Sequence, residues 1–390
     1  MTTARPAVEK SHRRKERPPF ERIALLLQGG GALGSYQGGA YQALAEAELH
    51  PDWIAGISIG TINAALIAGN PPEKRVERLR EFWEIVSTPP LGLPSVASMD
   101  IRNEYTHRLV NQFESLGTLL TGATGFFKPR VPPPYLYPPG RIEALSFYDV
   151  SPLKPTLERL VDFDLINNGS TRLSVGAVNI RTGNLVCFDN ANCDIGPEHV
   201  MASGSLPPGF PATEIEGEYY WDGGLVSNTP LDWVLDSTPR QDTLAFQIDL
   251  WSARGDLPSN LMESETRQKE IRYSSRTRAA TDQFKKEQKL RRAAAKILAQ
   301  IPRDLRQTPE AELLASGADE KVYNIVHLIY RSQKYEGASK DYEFSRRTME
   351  EHWKSGYHDT VHTLRHPEVL QRPTGEDGVF TFDLARDGRV

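Results

Sequence analysis

The run Gly56-Ile57-Ser58-Ile59-Gly60 carries the strongest hint of chemistry. A serine between two glycines, placed where a strand passes into a helix, sits on a tight turn. Small flanking residues let strand and helix approach, and the helix N-terminus faces any negative charge that develops on an attacked carbonyl. Without that context the same Ser58 reads as a helix N-cap. A second turn, Gln28-Gly29-Gly30-Gly31-Ala32-Leu33-Gly34, also follows an apolar run. Its Gly29, Gly31 and Gly34 spell the Gly-x-Gly-x-x-Gly of dinucleotide sites, which requires an acidic residue at the end of the next strand to hold a ribose. Asp52 precedes that strand and Ser58 ends it, so the nucleotide reading fails. Bare N–H groups at Gly29, Gly30 and Gly31 suit an oxyanion hole instead.

A nucleophilic serine needs a base. Of nine histidines, His327 and His352 stand after Ser58 in the order an ordinary Ser–His–Asp hydrolase requires. His352, His358, His362 and His366 fall in one helical segment, where their spacing suggests a solvated face. The alternative base is Asp222 in Trp221-Asp222-Gly223-Gly224, at the end of a strand. The same three residues also read as a plain hairpin turn.

These residues must be held by elements, and the pattern supplies them. Continuous apolar runs at 23–27 and 53–57 read as buried strands. Helical patterns follow at 34–49, 61–68 and 73–86, which implies a parallel sheet covered by helices. An insertion over about 95–140 is polar and then rich in Pro and aromatic residues, so it fits neither a central strand nor a helix interior. Strands resume at 172–180, 185–188, 219–221 and 243–250. Beyond Pro258 come Arg-, Lys-, Gln- and Ala-rich helices, one strand at 322–330 and a helix at 344–364. The expected organisation is a disordered basic arm over 1–21, a hydrolase domain over 22–258, an extension of helices and one strand over 259–370, and a tail over 371–390.

Composition removes several classes of function. Forty-six Lys and Arg against 51 Asp and Glu give a net charge of −5, which excludes a chain built to coat nucleic acid. Thirty Gly and 28 Pro exclude a long helical rod. The two cysteines, Cys187 and Cys193, cannot staple a chain of 390 residues, and no ligands at metal spacing surround them. They are expected to pack as small apolar groups in a reducing, cytoplasmic-type compartment. No apolar core follows the basic residues of the first 22, as a signal peptide requires, and no run approaches a membrane span. One local charge excess stands apart. Over 267–296, eleven basic residues face Glu270, Asp282 and Glu287, leaving eight positive charges in excess. Such a helix could rest transiently on anionic lipid, or it could be solvated and paired with acidic residues elsewhere.

Taken together, the Gly-rich strand-to-helix turn, the Gly-x-Ser-x-Gly elbow and the late Asp-Gly-Gly resemble the patatin-like phospholipase family. The block Ala202-Ser203-Gly204-Ser205-Leu206-Pro207-Pro208-Gly209-Phe210-Pro211 is similar to that family's Ser and Pro segment. Residues 260–370 look like the C-terminal extension found in a bacterial branch of it. The resemblance implies a three-layer α/β/α hydrolase with a mainly helical C-terminal extension, acting on lipid-like acyl esters through a Ser–Asp dyad. Carried over, Ser58 is the nucleophile, Asp222 its base, Gly56 and Gly60 the elbow glycines, and Gly29, Gly30, Gly31 and Ile59 the oxyanion hole. It implies no metal or organic cofactor. Two departures are Gln28, where the family often has Asp, and Leu33, where it often has Arg or Lys; the latter removes either a contact to an acidic headgroup or a structural anchor. The rival readings are a Ser–His–Asp esterase and a catalytically silent lipid-binding scaffold.

Overall fold

A computed structural model describes residues 12, 16–89, 104–274, 277–302, 305–332 and 336–384. The first half alternates β1 (Arg22–Leu27), α1 (Ser35–Glu46), β2 (Trp53–Ile57), α2 (Ile59–Ala68) and α3 (Pro72–Val86). After α4 (Glu104–Thr121) come a short ribbon of β3 (Lys128–Pro129) with β4 (Tyr148–Asp149), then α5 (Leu153–Leu160) and α6 (Phe163–Asn168). The antiparallel quarter consists of β5 (Arg172–Asn179), β6 (Leu185–Asp189), α7 (Pro197–Ser203), β7 (Thr213–Ile215) and β8 (Glu218–Asp222). Then follow α8 (Leu231–Leu235), β9 (Thr243–Asp249), α9 (Leu261–Tyr273), α10 (Thr277–Gln300) and α11 (Pro309–Gly317). The chain closes with β10 (Tyr323–Ile329), α12 (Arg346–Leu364) and β11 (Val379–Phe382).

Nine strands form one sheet in the order β11-β10-β9-β1-β2-β5-β8-β7, with β6 paired to β5. The six strands from β11 to β5 run parallel, so β1 is buried on both faces, as its continuous apolar run requires. Ile23, Leu25 and Leu27 point into the larger core with α1, α2 and α3, while Ala24 and Leu26 meet Leu231, Val234 and Leu235 of α8 and Phe284 of α10. Helices on both faces of the sheet make the three layers expected from the sequence.

Several boundaries differ from expectation. The region after Pro258 does not stand apart: β10 continues the sheet from β9, and Phe284 of α10 packs edge-on against Tyr323 in the core. The expected tail contains β11, paired parallel with β10; four residues of alternating Val and Phe character were too short a signal beside the flanking Gly and Asp. Of the expected disordered arm, residues 1–11 and 13–15 lie outside the described residues, but Phe20 is buried and Arg17 pairs with Asp52. The insertion's Phe126 and Phe127 are buried against Phe210 and Phe344, whereas Tyr135 and Leu136 are exposed. Both cysteines are exposed rather than packed. Helix α12 lies on α1 at backbone contact: a Cβ on Gly39 would sit 1.8 Å from the Trp353 carbonyl, and one on Gly356 2.0 Å from that of Tyr36.

Candidate active site

Three turns meet at the C-terminal ends of β1, β2 and β8. The first is the elbow at Ser58, whose φ of 55° and ψ of −126° place a non-glycine residue in a sparsely populated region. Strain of this kind costs on the order of 1–3 kcal/mol and persists only when the surroundings enforce it. Here the glycines do so. A Cβ on Gly56 would lie 2.7 Å from the Gly60 backbone, and one on Gly60 would lie 2.3 Å from the Leu27 carbonyl. Ser58 N–H donates to Ser203 Oγ (2.9 Å), which also shares a hydrogen bond with Thr61 Oγ1 (2.8 Å). The Ser58 side chain carries no capping bond to the helix, which rules out the plain N-cap role. Ser58 stays partly accessible, directly ahead of α2.

Strand register brings Asp222 to this elbow. Ile57 pairs with Gly176 of β5, and Asp222 pairs with the next residue, Ala177. Because β6 occupies the other edge of β5 over 174–178, β8 continues the row that β2 vacates at Ser58. Asp222 is therefore a strand end rather than a hairpin turn. Its carboxyl is buried, with Oδ1 accepting from Gly224 N–H at 2.7 Å, and its own N–H donates to the Ser205 carbonyl. Burial pushes its pKa from an ordinary 3.8 up to about 7, against the lowering pull of hydrogen bonds from the Ser58 hydroxyl and Gly224.

The third turn is the glycine loop, and it divides its amides. Gly29 N–H donates to Asn228 Oδ1 (3.1 Å), so Gly29 is not a free oxyanion donor, contrary to the expectation for that residue. Its carbonyl accepts from Trp251 Nε1 (2.9 Å) and Asn228 Nδ2 (3.0 Å). The N–H groups of Gly30, Gly31 and Ile59 find no acceptor among the described residues. A Cβ placed on Gly29 would come within 2.9 Å of Ser58 Cβ, which fixes how close loop and nucleophile lie. At Gly30 the added atom would meet Leu250 at 2.8 Å, so close packing demands glycine there. Gln28 explains its own departure: Oε1 accepts from Leu250 and Trp251 N–H, and Nε2 donates to Thr229 Oγ1 and the Tyr273 carbonyl. An amide serves both roles where a carboxylate could only accept. Leu33 is wholly buried, so this position does not face a substrate.

The histidine candidates lie elsewhere. Buried His352 faces Glu336 (3.6 Å) and Tyr330, which corrects the solvated-face expectation for that residue. His327 faces Asp249 (3.7 Å). Neither is bonded to Ser58 or Asp222. Sequence reasoning missed Asn228, Trp251 and the role of Ser203. Ser203 and Ser205 lie in the Ser and Pro block quoted above, and their signal was legible there. Asn228 stands alone in a polar loop and offered none. A cavity of about 1390 Å³ beside Trp251, lined by α4, α9 and the ends of β9 and β10, does not include Ser58.

Comparisons with known proteins bear on the family. A family model described as patatin-like phospholipase matches residues 25–235, just over half the chain. A second, described as patatin phospholipase, matches residues 271–376. Among solved structures, the crystal structure of VipD from Legionella pneumophila is similar at 14% identity and a TM-score of 0.41, covering 96% of this chain and 77% of that one. No curated protein matches the chain.

Proposed function

The chain belongs to the patatin-like phospholipase family, and from that premise we propose that it hydrolyses lipid acyl esters through a Ser58–Asp222 dyad that uses no histidine. The observation that carries this reading is the register of β2, β5 and β8, which sets the buried Asp222 carboxyl, fixed by Gly224 N–H, beside the Ser58 elbow; burial there raises its pKa to about 7. A base with a pKa near the working pH is best placed to accept a proton and return it.

In the reaction, Ser58 Oγ attacks the ester carbonyl while its proton passes to Asp222. The carbonyl π pair moves onto oxygen, which the free N–H groups of Gly30, Gly31 and Ile59 receive at the N-terminus of α2. Collapse expels the alcohol, which takes the proton from Asp222 and leaves an acyl-Ser58 ester. Water then attacks that ester, giving its proton to Asp222, and the acid leaves as Ser58 recovers its hydrogen.

No helix among the described residues is long and apolar enough to cross a membrane. Contact with anionic lipid through 267–296 is retained as weak and transient, because among the described residues at least six of the eleven basic side chains already have hydrogen-bond or ion-pair partners. These are Arg267, Lys269, Lys285, Lys289, Arg291 and Arg292. A fluorophosphonate probe tests the central claim. Intact-protein and peptide mass spectrometry should place one adduct on Ser58, absent in Ser58→Ala; an unlabelled parent protein would favour the silent scaffold. A labelled protein inactivated by His327→Ala or His352→Ala would favour the triad.

A further inference from the structure

The C-terminal region reaches into the oxyanion loop. Ala32 N–H donates to the main-chain carbonyl of Asp341 at 2.8 Å. Gly31 has a left-handed φ of 56°, and a Cβ there would lie 2.1 Å from that same oxygen. Asp341 is itself gripped from α9: Lys269 Nζ donates to Oδ1 (2.8 Å), to Oδ2 (2.9 Å) and to the Ala338 carbonyl (3.2 Å). The same ammonium lies 5.3 Å from the Tyr342 ring centre. One turn further along, α9 ends at Tyr273, whose carbonyl accepts from Asn228 Nδ2 (3.0 Å) and Gln28 Nε2 (3.2 Å). Both amides that bracket the free pair are thus tied to one helix, Gly29 through Asn228 and Ala32 through Asp341.

A run of three glycines is costly to hold in one conformation. Peptide planarity means that fixing the Gly29 and Ala32 amides leaves the Gly30 and Gly31 N–H directions little freedom. We propose that Lys269 is a positioning residue for acyl transfer: it holds Asp341, and through the Asp341 carbonyl it aims the Gly30 and Gly31 amides at the developing oxyanion. This assigns a role in the reaction to Asp341, inside the region matched by the second family model, and to Lys269 just before it, and it rests on the acyl-hydrolase reading above. The competing account is an ordinary partly exposed ion pair, worth about 0–1 kcal/mol to folding and nothing to turnover.

The test uses the full chain with Lys269→Met, Lys269→Arg and Asp341→Asn. Four readouts are compared: kcat and KM on a short-chain p-nitrophenyl ester, the rate of fluorophosphonate labelling, melting temperature, and amide hydrogen exchange in the peptide covering 28–33. Lys269→Met should lower kcat and labelling about ten- to hundredfold with KM unchanged, as small misplacements remote from the chemistry do. It should also speed exchange at Ala32, and Lys269→Arg should restore most of both. If Lys269→Met does not fold, Asp341→Asn decides, since it keeps the carbonyl and the side-chain volume. Parent-like kcat in folded Lys269→Met, or in Asp341→Asn where that variant decides, overturns the proposal with or without faster exchange, while the acyl-hydrolase reading stands. A parent that is never labelled at Ser58 sinks that reading first, and this one with it.

Discussion

The two turns that meet at Ser58 are held in opposite ways. The elbow is fixed mostly by near neighbours, Gly56 against Gly60, Gly60 against Leu27 and α2 starting at the next residue, with Ser203 Oγ its one remote hold, on Ser58 N–H and Thr61. The glycine loop is fixed from afar, by Asn228 at a separation of 199 residues, Trp251 at 222, and Asp341 beyond them. The elbow geometry therefore depends chiefly on the packing of β1, β2 and α2. The loop acquires its final geometry only when α9 and the segment before α12 dock. Damage to the elbow should appear as lost folding, and damage to the loop as lost turnover.

The largest effect comes from removing the chemistry that both turns serve. Ser58→Ala and Asp222→Asn should each lower ester turnover by about 10⁴-fold or more in folded protein, and the double variant should be scarcely worse than either, because the two act as one unit. Steady-state kinetics on the three variants checks this. Additive losses would mean that the two side chains act separately.

Next come the turns themselves. Gly60→Ala sets a Cβ 2.3 Å from a backbone carbonyl that cannot yield, so loss of several kcal/mol and failure to accumulate folded protein are expected. Asn228→Ala strips the buried Gly29 N–H of its acceptor, a cost of about 1–3 kcal/mol, and frees the loop. It should fold with a lowered melting temperature and a kcat reduced about 10²-fold. Circular dichroism melts beside kinetics separate the two outcomes. A well-folded, inactive Gly60→Ala protein would erase the contrast between the turns.

This contrast also explains what could be read from the sequence. Strands such as Trp53–Ile57 and the elbow that follows were legible because apolar runs and glycines at fixed spacing act over a few residues. Ser58 and Asp222 were recognisable together only through the family resemblance; their meeting depends on β5 register, which no local pattern encodes. Asn228, Lys269 and Asp341 stayed hidden because a polar side chain bonding across the fold looks like any surface residue in sequence. Strand β11 was lost for a local reason, since four residues give too short an apolar signal.

A subtler effect follows from burying Asp222. Between its ordinary 3.8 and about 7 the folded protein keeps a proton that the unfolded chain has released. The sign is therefore unfavourable as pH rises: the folded state loses on the order of 4 kcal/mol across that window. Activity should climb through pH 7 as the base form appears, while Asp222→Asn, free of the penalty, should melt above the parent at pH 8 and near it at pH 4. Melts at the two pH values check the sign. A constant offset would show that Asp222 is already ionised at low pH in the folded protein.

The smallest effect asks whether the remote hold on the loop extends beyond the protein. Helix α10 follows α9 directly, so a charged surface under α10 would press on the helix that grips Asp341. Much of its charge is already engaged: Arg291 with Asp236, Lys289 with Asp377, Arg292 with the Glu320 carbonyl. Lys286 and Lys296 remain without a protein partner among the described residues, and Leu290 and Ile297 are exposed beside them. Each basic side chain near an anionic surface contributes about 1 kcal/mol, so two of them raise vesicle binding by roughly tenfold to thirtyfold at low salt. Co-sedimentation with anionic vesicles should exceed that with neutral ones by such a factor, fall away at high ionic strength, and weaken in Lys286→Gln/Lys296→Gln. Binding indifferent to lipid charge or to salt would exclude docking by this helix, and the hold on the glycine loop would then lie entirely within the fold.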